Sequence, residues 1–178
     1  MGLFDMFKKK GDARDEGGAP ASVAAVHEAG ALCAPVPGEV IAMSEVPDPV
    51  FSEGVLGAGC AVWPAGDVVY APVDGTVTVT MGHAVGIMSA DGVEVLVHVG
   101  VDTVNMQGKG FTGYVSQGDA VVAGQPLLKM DRAAIAEAGY RDCVVMAVSN
   151  TAELSSVGLA VEPGVAVEPG SVVVRAVR

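Results

Sequence analysis

His83-Ala84-Val85-Gly86-Ile87-Met88-Ser89-Ala90-Asp91-Gly92-Val93-Glu94-Val95-Leu96-Val97-His98 is the stretch that decides the fold. Two apolar runs rich in β-branched residues, 84–88 and 93–97, flank Asp91-Gly92. That dipeptide favours a hairpin turn, because Gly accepts positive φ without a steric penalty. Pairing the runs sets His83 at the outer end of one strand and His98 at the outer end of its neighbour. Adjacent strands lie about 5 Å apart, so the two imidazoles can face each other.

The same rhythm extends in both directions. Strand-length segments at 38–43, 60–63, 76–80, 120–122 and 144–148 are separated by turn signals, Asp74-Gly75 among them. Residues 131–138 have the Ala and Glu content of a short helix bridging two strands. The tandem Ala160-Val161-Glu162-Pro163-Gly164 and Ala166-Val167-Glu168-Pro169-Gly170 reads as two strand-and-turn pieces, leading to a last strand over 171–177. With 51% apolar but only 4% aromatic residues, and with 24 Gly and 10 Pro, the core must be built from Val, Ala, Leu, Ile and Met. The expected fold is all-β: an antiparallel β-sandwich or barrel with short helical connections and a flexible N-terminal tail.

A chain of 178 residues suits one domain plus a tail. Residues 1–30 are read as that tail, with 11–30 a Gly-, Ala- and charge-rich linker that gives His27 no role, and 31–178 as the domain. Leu3, Phe4, Met6 and Phe7 precede Lys8-Lys9-Lys10, so residues 1–10 in a helix would set an apolar stripe beside a basic end, suited to an anionic membrane surface. The competing reading is a solubilising, disordered tail, since so short a helix is marginal alone. Met6 breaks the myristoylation pattern. No apolar run approaches the roughly 20 residues that cross a bilayer, and no secretory signal is evident, so the chain is expected in the cytoplasm, with residues 1–10 able to hold it at the inner face of the membrane.

Cys33, Cys60 and Cys143 are odd in number, widely spaced and set in apolar sequence, which suits reduced buried thiols. Residues 1–18 hold four charges of each sign, so the net charge of −11 falls on the remainder. This disfavours nucleic acid and steers in a partner with a basic face.

Only three histidines exist, and His83 and His98 demand an explanation. Such a pair can share a metal, move protons, carry a phosphoryl group or be structural. A zinc-dependent hydrolase needs a third ligand, which Asp102 or Asp48 could supply, but there is no His-x-His, no His-Glu-x-x-His and no Cys nearby. Otherwise zinc on His83 and His98 would be adventitious or interfacial. No Gly-x-Ser-x-Gly is present, Gly57-Ala58-Gly59 lacks the Lys-Ser/Thr of a phosphate-binding loop, and Lys129-Met130 ends an apolar run instead of occupying the hairpin tip of a biotin or lipoyl carrier.

From Cys33 to Arg178 the sequence resembles the glucose-family enzyme IIA of the bacterial phosphoenolpyruvate-dependent sugar phosphotransferase system. The matching pieces are Ala34-Pro35-Val36-Pro37-Gly38-Glu39-Val40, Val46-Pro47-Asp48-Pro49-Val50-Phe51, Ala71-Pro72-Val73-Asp74-Gly75-Thr76-Val77, His83-Ala84-Val85-Gly86-Ile87 and the run from Gly92 to Val104 through His98. Gly108-Lys109-Gly110-Phe111 and Val148-Ser149-Asn150 also match, and Met1-Gly2-Leu3-Phe4-Asp5 is similar to the membrane-associating N-terminus of free-standing members.

The resemblance implies an antiparallel β-sandwich with a two-histidine site and no cofactor. By position, His98 corresponds to the histidine phosphorylated on Nε2, and His83 to the neighbour that steadies the phosphoryl group, with backbone N–H groups around Val99 and Gly100 as further donors. Phosphorylated HPr would be the donor and a cysteine of an enzyme IIB domain the acceptor, with regulatory target proteins bound when His98 is unphosphorylated. A purely regulatory binding module on the same fold is an alternative. Val50, Phe51, Val55 and Leu56 correspond to the family's apolar surface patch, and Asp48 and Asp102 to acids that meet basic side chains of HPr. One departure stands out: Met81 occupies the position where the family has a Thr that bonds into the site, and Thr80 beside it should point to the other face unless a bulge re-aims it. If residues 1–10 bind membrane, the full chain will co-sediment with anionic vesicles and a chain lacking them will not; equal partitioning would exclude that role.

Overall fold

The computed structural model describes residues 18–178, so the proposed membrane segment at 1–10 lies outside the described residues. The strands are β1 (Ala31–Cys33), β2 (Gly38–Ala42), β3 (Ala58–Pro64), β4 (Val68–Tyr70), β5 (Gly75–Met81), β6 (Ala84–Ser89) and β7 (Glu94–Val101). They continue with β8 (Phe111–Gly113), β9 (Ala120–Val121), β10 (Pro126–Met130), β11 (Arg141–Val148), β12 (Ser156–Leu159), β13 (Ala166–Val167) and β14 (Val172–Val177). Two short helices, α1 (Pro49–Ser52) and α2 (Arg132–Glu137), interrupt them. Asp131 caps α2 by accepting from the Ala134 amide at 3.0 Å, which explains where the Ala-rich segment turns helical.

Eight strands form one antiparallel sheet in the order β13-β2-β3-β11-β7-β6-β5-β9. Two three-stranded sheets, β1-β14-β12 and β4-β10-β8, complete a β-sandwich, as the sequence leads one to expect. Side-chain alternation along β7 divides the large sheet's two faces. Val95, Val97 and Val99 enter the main core with Val40, Val62, Val144 and Met146, and the small sheets cover it with Leu32, Val173, Leu127 and Leu128. The opposite face carries a second apolar cluster of Ile41, Val46, Phe51, Ala61, Val101, Cys143 and Val145. Helix α1 covers this cluster by burying Phe51, a contribution of about 1.5–3 kcal/mol for a fully buried side chain of this size.

The decisive hairpin forms, with its register one residue from the reading, so that Ala84 and not His83 lies opposite His98. β6 pairs with β7 from Ala84↔His98 to Met88↔Glu94, and Gly92 turns the chain at φ +84°. Its far end is anchored from outside: the Asn150 side-chain amide donates to the Gly92 carbonyl at 2.8 Å and its oxygen accepts from the Glu94 amide at 3.0 Å. Arg178 Nε donates to the Asp91 carbonyl at 2.8 Å.

Other expectations need correcting. Asp74-Gly75 is no hairpin turn: Gly75 already lies in β5, opposite Ser89 and Val121, while Asp74 accepts from the Ala123 amide at 2.7 Å. Of the tandem repeat only Ala166–Val167 is a strand, because the first copy spends its backbone groups on a turn that meets Val40 through the Gly164 and Val165 peptides.

Residues 18–30, read as linker, lie against the domain without regular secondary structure. The Val23 and Val26 amides donate to the Gly124 and Gly170 carbonyls, and His27 Nδ1 sits 2.8 Å from Asp74 Oδ1. Gly124 and Gly170 hold φ near +90°, and a Cβ on Gly170 would stand 2.0 Å from the Ala24 oxygen. Gly170→Ala should therefore lift this strap, at a cost of about 1–3 kcal/mol. Hydrogen exchange should show Val23 and Val26 losing protection while β7 and β11 keep theirs; unchanged strap protection would contradict the packing argument.

Candidate active site

His98 lies on β7 between Ala84 of β6 and Val145 of β11, on the face of the second cluster. The small Ala84 leaves room beside it for a ring from the next turn. His83 fills that room, with ring centroids 4.7 Å apart and an edge-on angle of 82°. On another side the Phe51 ring stands 4.9 Å from His98 at 58°. His83 is itself buried, and its carbonyl accepts from the Val99 amide at 2.8 Å, which ties the two histidine segments together. Gly82 permits a close approach here, since a Cβ would lie 2.8 Å from the Gly108 Cα. The loop that follows brings Phe111 to 6.4 Å from His83.

Burial lowers the pKa of His83. For His98, burial first and then the adjacent His83 push it down to about 4, against an opposing pull from the Gly100 backbone and Asp48. Nδ1 of His98 is buried without a hydrogen bond of normal geometry, and the Gly100 carbonyl is the acceptor the fold offers it. At neutral pH the site therefore presents uncharged imidazoles. A neutral ring with one nitrogen turned inward is nucleophilic at the other.

Asp48 caps α1, accepting from the Val50 amide at 3.0 Å, and so orients the helix that bears Phe51. Asp102 is exposed in a left-handed conformation, two residues after Gly100, and Thr103 beside it donates its hydroxyl to the Val99 carbonyl. Val50 and Val55 are 44% and 67% exposed, and Leu56 is half-buried. Phe51 differs from the surface reading: at 3% exposure it is core, because its ring packs into the second cluster and against His98. Phe111, which the matching Gly108-Lys109-Gly110-Phe111 piece contains without a role, joins the site through its ring beside His83.

One further expectation changes, and the one about Thr80 holds. The Val99 amide is already committed to the His83 carbonyl and is not a free donor at the site. A bulge does interrupt β5 between Val77 and Val79, yet Thr80 remains exposed with no bond into the site, and Met81 occupies the position opposite Ala84. All three cysteines are free and buried, as expected. Burial lifts Cys60 to about 12; burial, then Asp142 and Asp48, lift Cys143 to about 11 against the pull of Arg141. Among the described residues no group of three or more His, Cys, Asp or Glu is arranged to hold a metal ion, so the zinc-hydrolase alternative lacks its third ligand.

Comparison with known proteins gives the family and the fold. The family described as phosphoenolpyruvate-dependent sugar phosphotransferase system, EIIA 1, matches residues 30–154. A glucose-specific EIIA component of Oceanobacillus iheyensis is 42% identical over 122 residues, covering 67% of this chain and 74% of that protein. A beta-glucoside-specific EIIBCA component of Bacillus subtilis is 44% identical over 135 residues, 74% of this chain but only 22% of that protein. The chain thus spans about a fifth of that multidomain relative. The solved glucose permease IIA from Mycoplasma capricolum matches with a TM-score of 0.70 at 34% identity, over 81% of this chain and 93% of that one.

The depressed His98 pKa has a definite sign. Between about 4 and its ordinary value of 6.5 the unfolded chain binds the proton and the folded chain does not, so stability falls as pH drops through that window. His98→Gln should flatten part of this decline in denaturant titrations at pH 7 and pH 4.5, and the His98 ring proton should show no NMR titration above about pH 5. An ordinary titration near 6.5 would refute the buried, neutral ring.

Proposed function

The chain belongs to the EIIA 1 family and is a phosphotransferase component of sugar uptake, and within that role we propose that His98 carries the phosphoryl group, accepting it from phospho-HPr and passing it to a cysteine of an enzyme IIB domain. One observation carries this reading: a neutral His98 whose Nδ1 is turned into the protein and whose ring is packed between His83 and Phe51. Held so, it keeps its proton on Nδ1 and offers the lone pair of Nε2. That pair attacks phosphorus, the phosphorus–nitrogen bond of the donor breaks, and the donor imidazole takes back its electrons. The charge left on the His98 ring is met by the Gly100 carbonyl at the Nδ1 side. In the second step a thiolate attacks phosphorus and His98 returns to its neutral form.

His83 acts as the donor that steadies the phosphoryl oxygens. Pre-set geometry contributes more than acid-base work to a loose phosphoryl transition state, and no metal is required of the residues present. Val50, Val55, Leu56, Met81 and Val104 form the apolar rim that partners touch, with Asp48 and Asp102 meeting basic side chains of the donor. Phe51 supports that rim from below. The exposed apolar side chains around an unphosphorylated His98 also suit regulatory docking, which phosphate charge would abolish. No helix among the described residues is long and apolar enough to cross a membrane, and phosphotransfer of this kind assigns the chain to the cytoplasm, with residues 1–10 as a peripheral membrane contact and 31–178 as the working domain.

With phosphoenolpyruvate, enzyme I and HPr, the wild type should gain one acid-labile phosphate by intact mass and His98→Ala none. His83→Gln should accept or release the phosphate about 10²–10³-fold more slowly, the size expected for loss of one well-aimed donor. A phosphorylated His98→Ala would overturn the assignment.

A further inference from the structure

His83 lies in the turn between β5 and β6, outside the strand pairing that fixes its neighbours. Its ring is buried, yet no group among the described residues hydrogen-bonds it, and burial alone lowers its pKa. Two rings touch it among those residues: His98 at 4.7 Å, and Phe111 at 6.4 Å with a tilt of 60°. An imidazole without a hydrogen bond is oriented by what packs against it, because the torsion that turns the ring is broad. His98 is a poor guide, since it is the ring whose charge and bulk change as a phosphoryl group comes and goes. Phe111 does not react, and its distance falls in the range over which aromatic rings prefer tilted and edge-on arrangements.

Phe111 is itself held in place. It opens β8, pairs with the buried Met130 of β10, and packs its half-buried ring on the main core. The chain reaches it from β7 through a tightly wound loop. Asp102 and Gln107 are the only non-glycine residues at positive φ among the described ones, at 60° and 55°, and they bracket the turn Thr103–Met106. Gly108 and Gly110 follow at +82° and +87°. Left-handed non-glycine residues persist where the surroundings over-determine them, and they cluster beside functional sites. Here a Cβ on Gly82, the residue before His83, would stand 2.8 Å from the Gly108 Cα, and the Asp131 amide donates to the Gly110 carbonyl at 2.7 Å. The loop is pressed against the His83 turn on one side and tied to the cap of α2 on the other.

We propose that Phe111 is the positioning residue for His83, its ring holding the imidazole edge-on to His98 so that the donor N–H meets the oxygens of a phosphoryl group there. This rests on the phosphocarrier reading above. Phe111 acts through His83 and takes no part in bond making at phosphorus. The small sheet thereby contributes to a site whose two histidines belong to one hairpin of the large sheet, and the left-handed loop between β7 and β8 is what brings the two layers together at that point. Orientation of this kind affects the transfer rate more than the affinity for the donor protein, because the donor hydrogen bond forms on the phosphoryl group and not on the partner's surface.

The test uses the full chain with phospho-HPr as donor. Phe111→Leu, which keeps an apolar side chain but loses the ring, should lower the maximal rate of phosphate uptake about tenfold and leave the KM for phospho-HPr unchanged. Phe111→Met takes its place if melting shows that the leucine variant does not fold. Phe111→Tyr keeps the ring and should recover most of the loss. In a His83→Gln background Phe111→Leu should slow transfer no further, since a residue acting through His83 then has nothing left to position. In the unphosphorylated protein, NMR cross-peaks between His83 and His98 ring protons should weaken in Phe111→Leu and return in Phe111→Tyr. A further loss in the His83→Gln background, a raised KM at constant maximal rate, unchanged rates, or unchanged cross-peaks overturns the proposal. A wild type that takes no phosphate sinks the phosphocarrier reading instead, and the cross-peaks then still decide whether Phe111 sets the His83 ring.

Discussion

The register between β6 and β7 is the constraint on which the rest depends. Ala84 opposite His98 is a single choice among the pairings open to these strands, and a slip of one residue would exchange the sheet's two faces. His98 would then enter the main core beside Val144, and Val97 and Val99 would be carried to the outer face. The register is held twice over. Alternating valines demand one face for burial, and Asn150 and Arg178 bind the turn from outside the hairpin. The placement of His98 on the outer face is thus a by-product of a packing requirement spread over the whole sandwich.

A second layer of order follows on the outer face. The cluster around Phe51 and Val145 is small, and it does less for stability than the main core. Its effect is on the dielectric around His98. Apolar neighbours, with a second imidazole in front, keep the ring uncharged near neutral pH, while Asp48 and Asp102 remain at the rim where water screens them. The acids act on an approaching partner more than on the ring.

How much of this was legible in the sequence depended on which atoms did the work. Alternating valines, the Asp91-Gly92 turn and the spacing of the two histidines are side-chain signals, and they disclosed the hairpin, the all-β class and the facing imidazoles. The strap at residues 18–30 escaped because its amides at Val23 and Val26 bind carbonyls, which every residue possesses, of glycines some 100 residues or more away, and because its side-chain contacts, His27 with Asp74 and Glu28 with Arg175, are also distant in sequence. Asp74-Gly75 misled for the same kind of reason: the dipeptide permits a turn, but long-range pairing of Gly75 with Ser89 and Val121 decided otherwise. β8, β9 and β13, of two or three residues each, are too short to show a period. Resemblance supplied an apolar patch but not its depth, so Phe51 was assigned to a surface that its ring in fact supports from beneath.

Cys143 gives the site a chemical insulation. Its sulfur belongs to the same apolar cluster as the ring that touches His98, and an exposed thiolate on that face would be a competitor for the phosphoryl group proposed to reside on the imidazole. With the thiol fully buried and its ionisation pushed to about 11, the thiolate is scarce at cellular pH and has no path to phosphorus. On the proposed reading, in which the phosphoryl group is delivered to a cysteine on another protein, the chain's own sulfur is thereby kept out of the reaction until an external thiolate arrives.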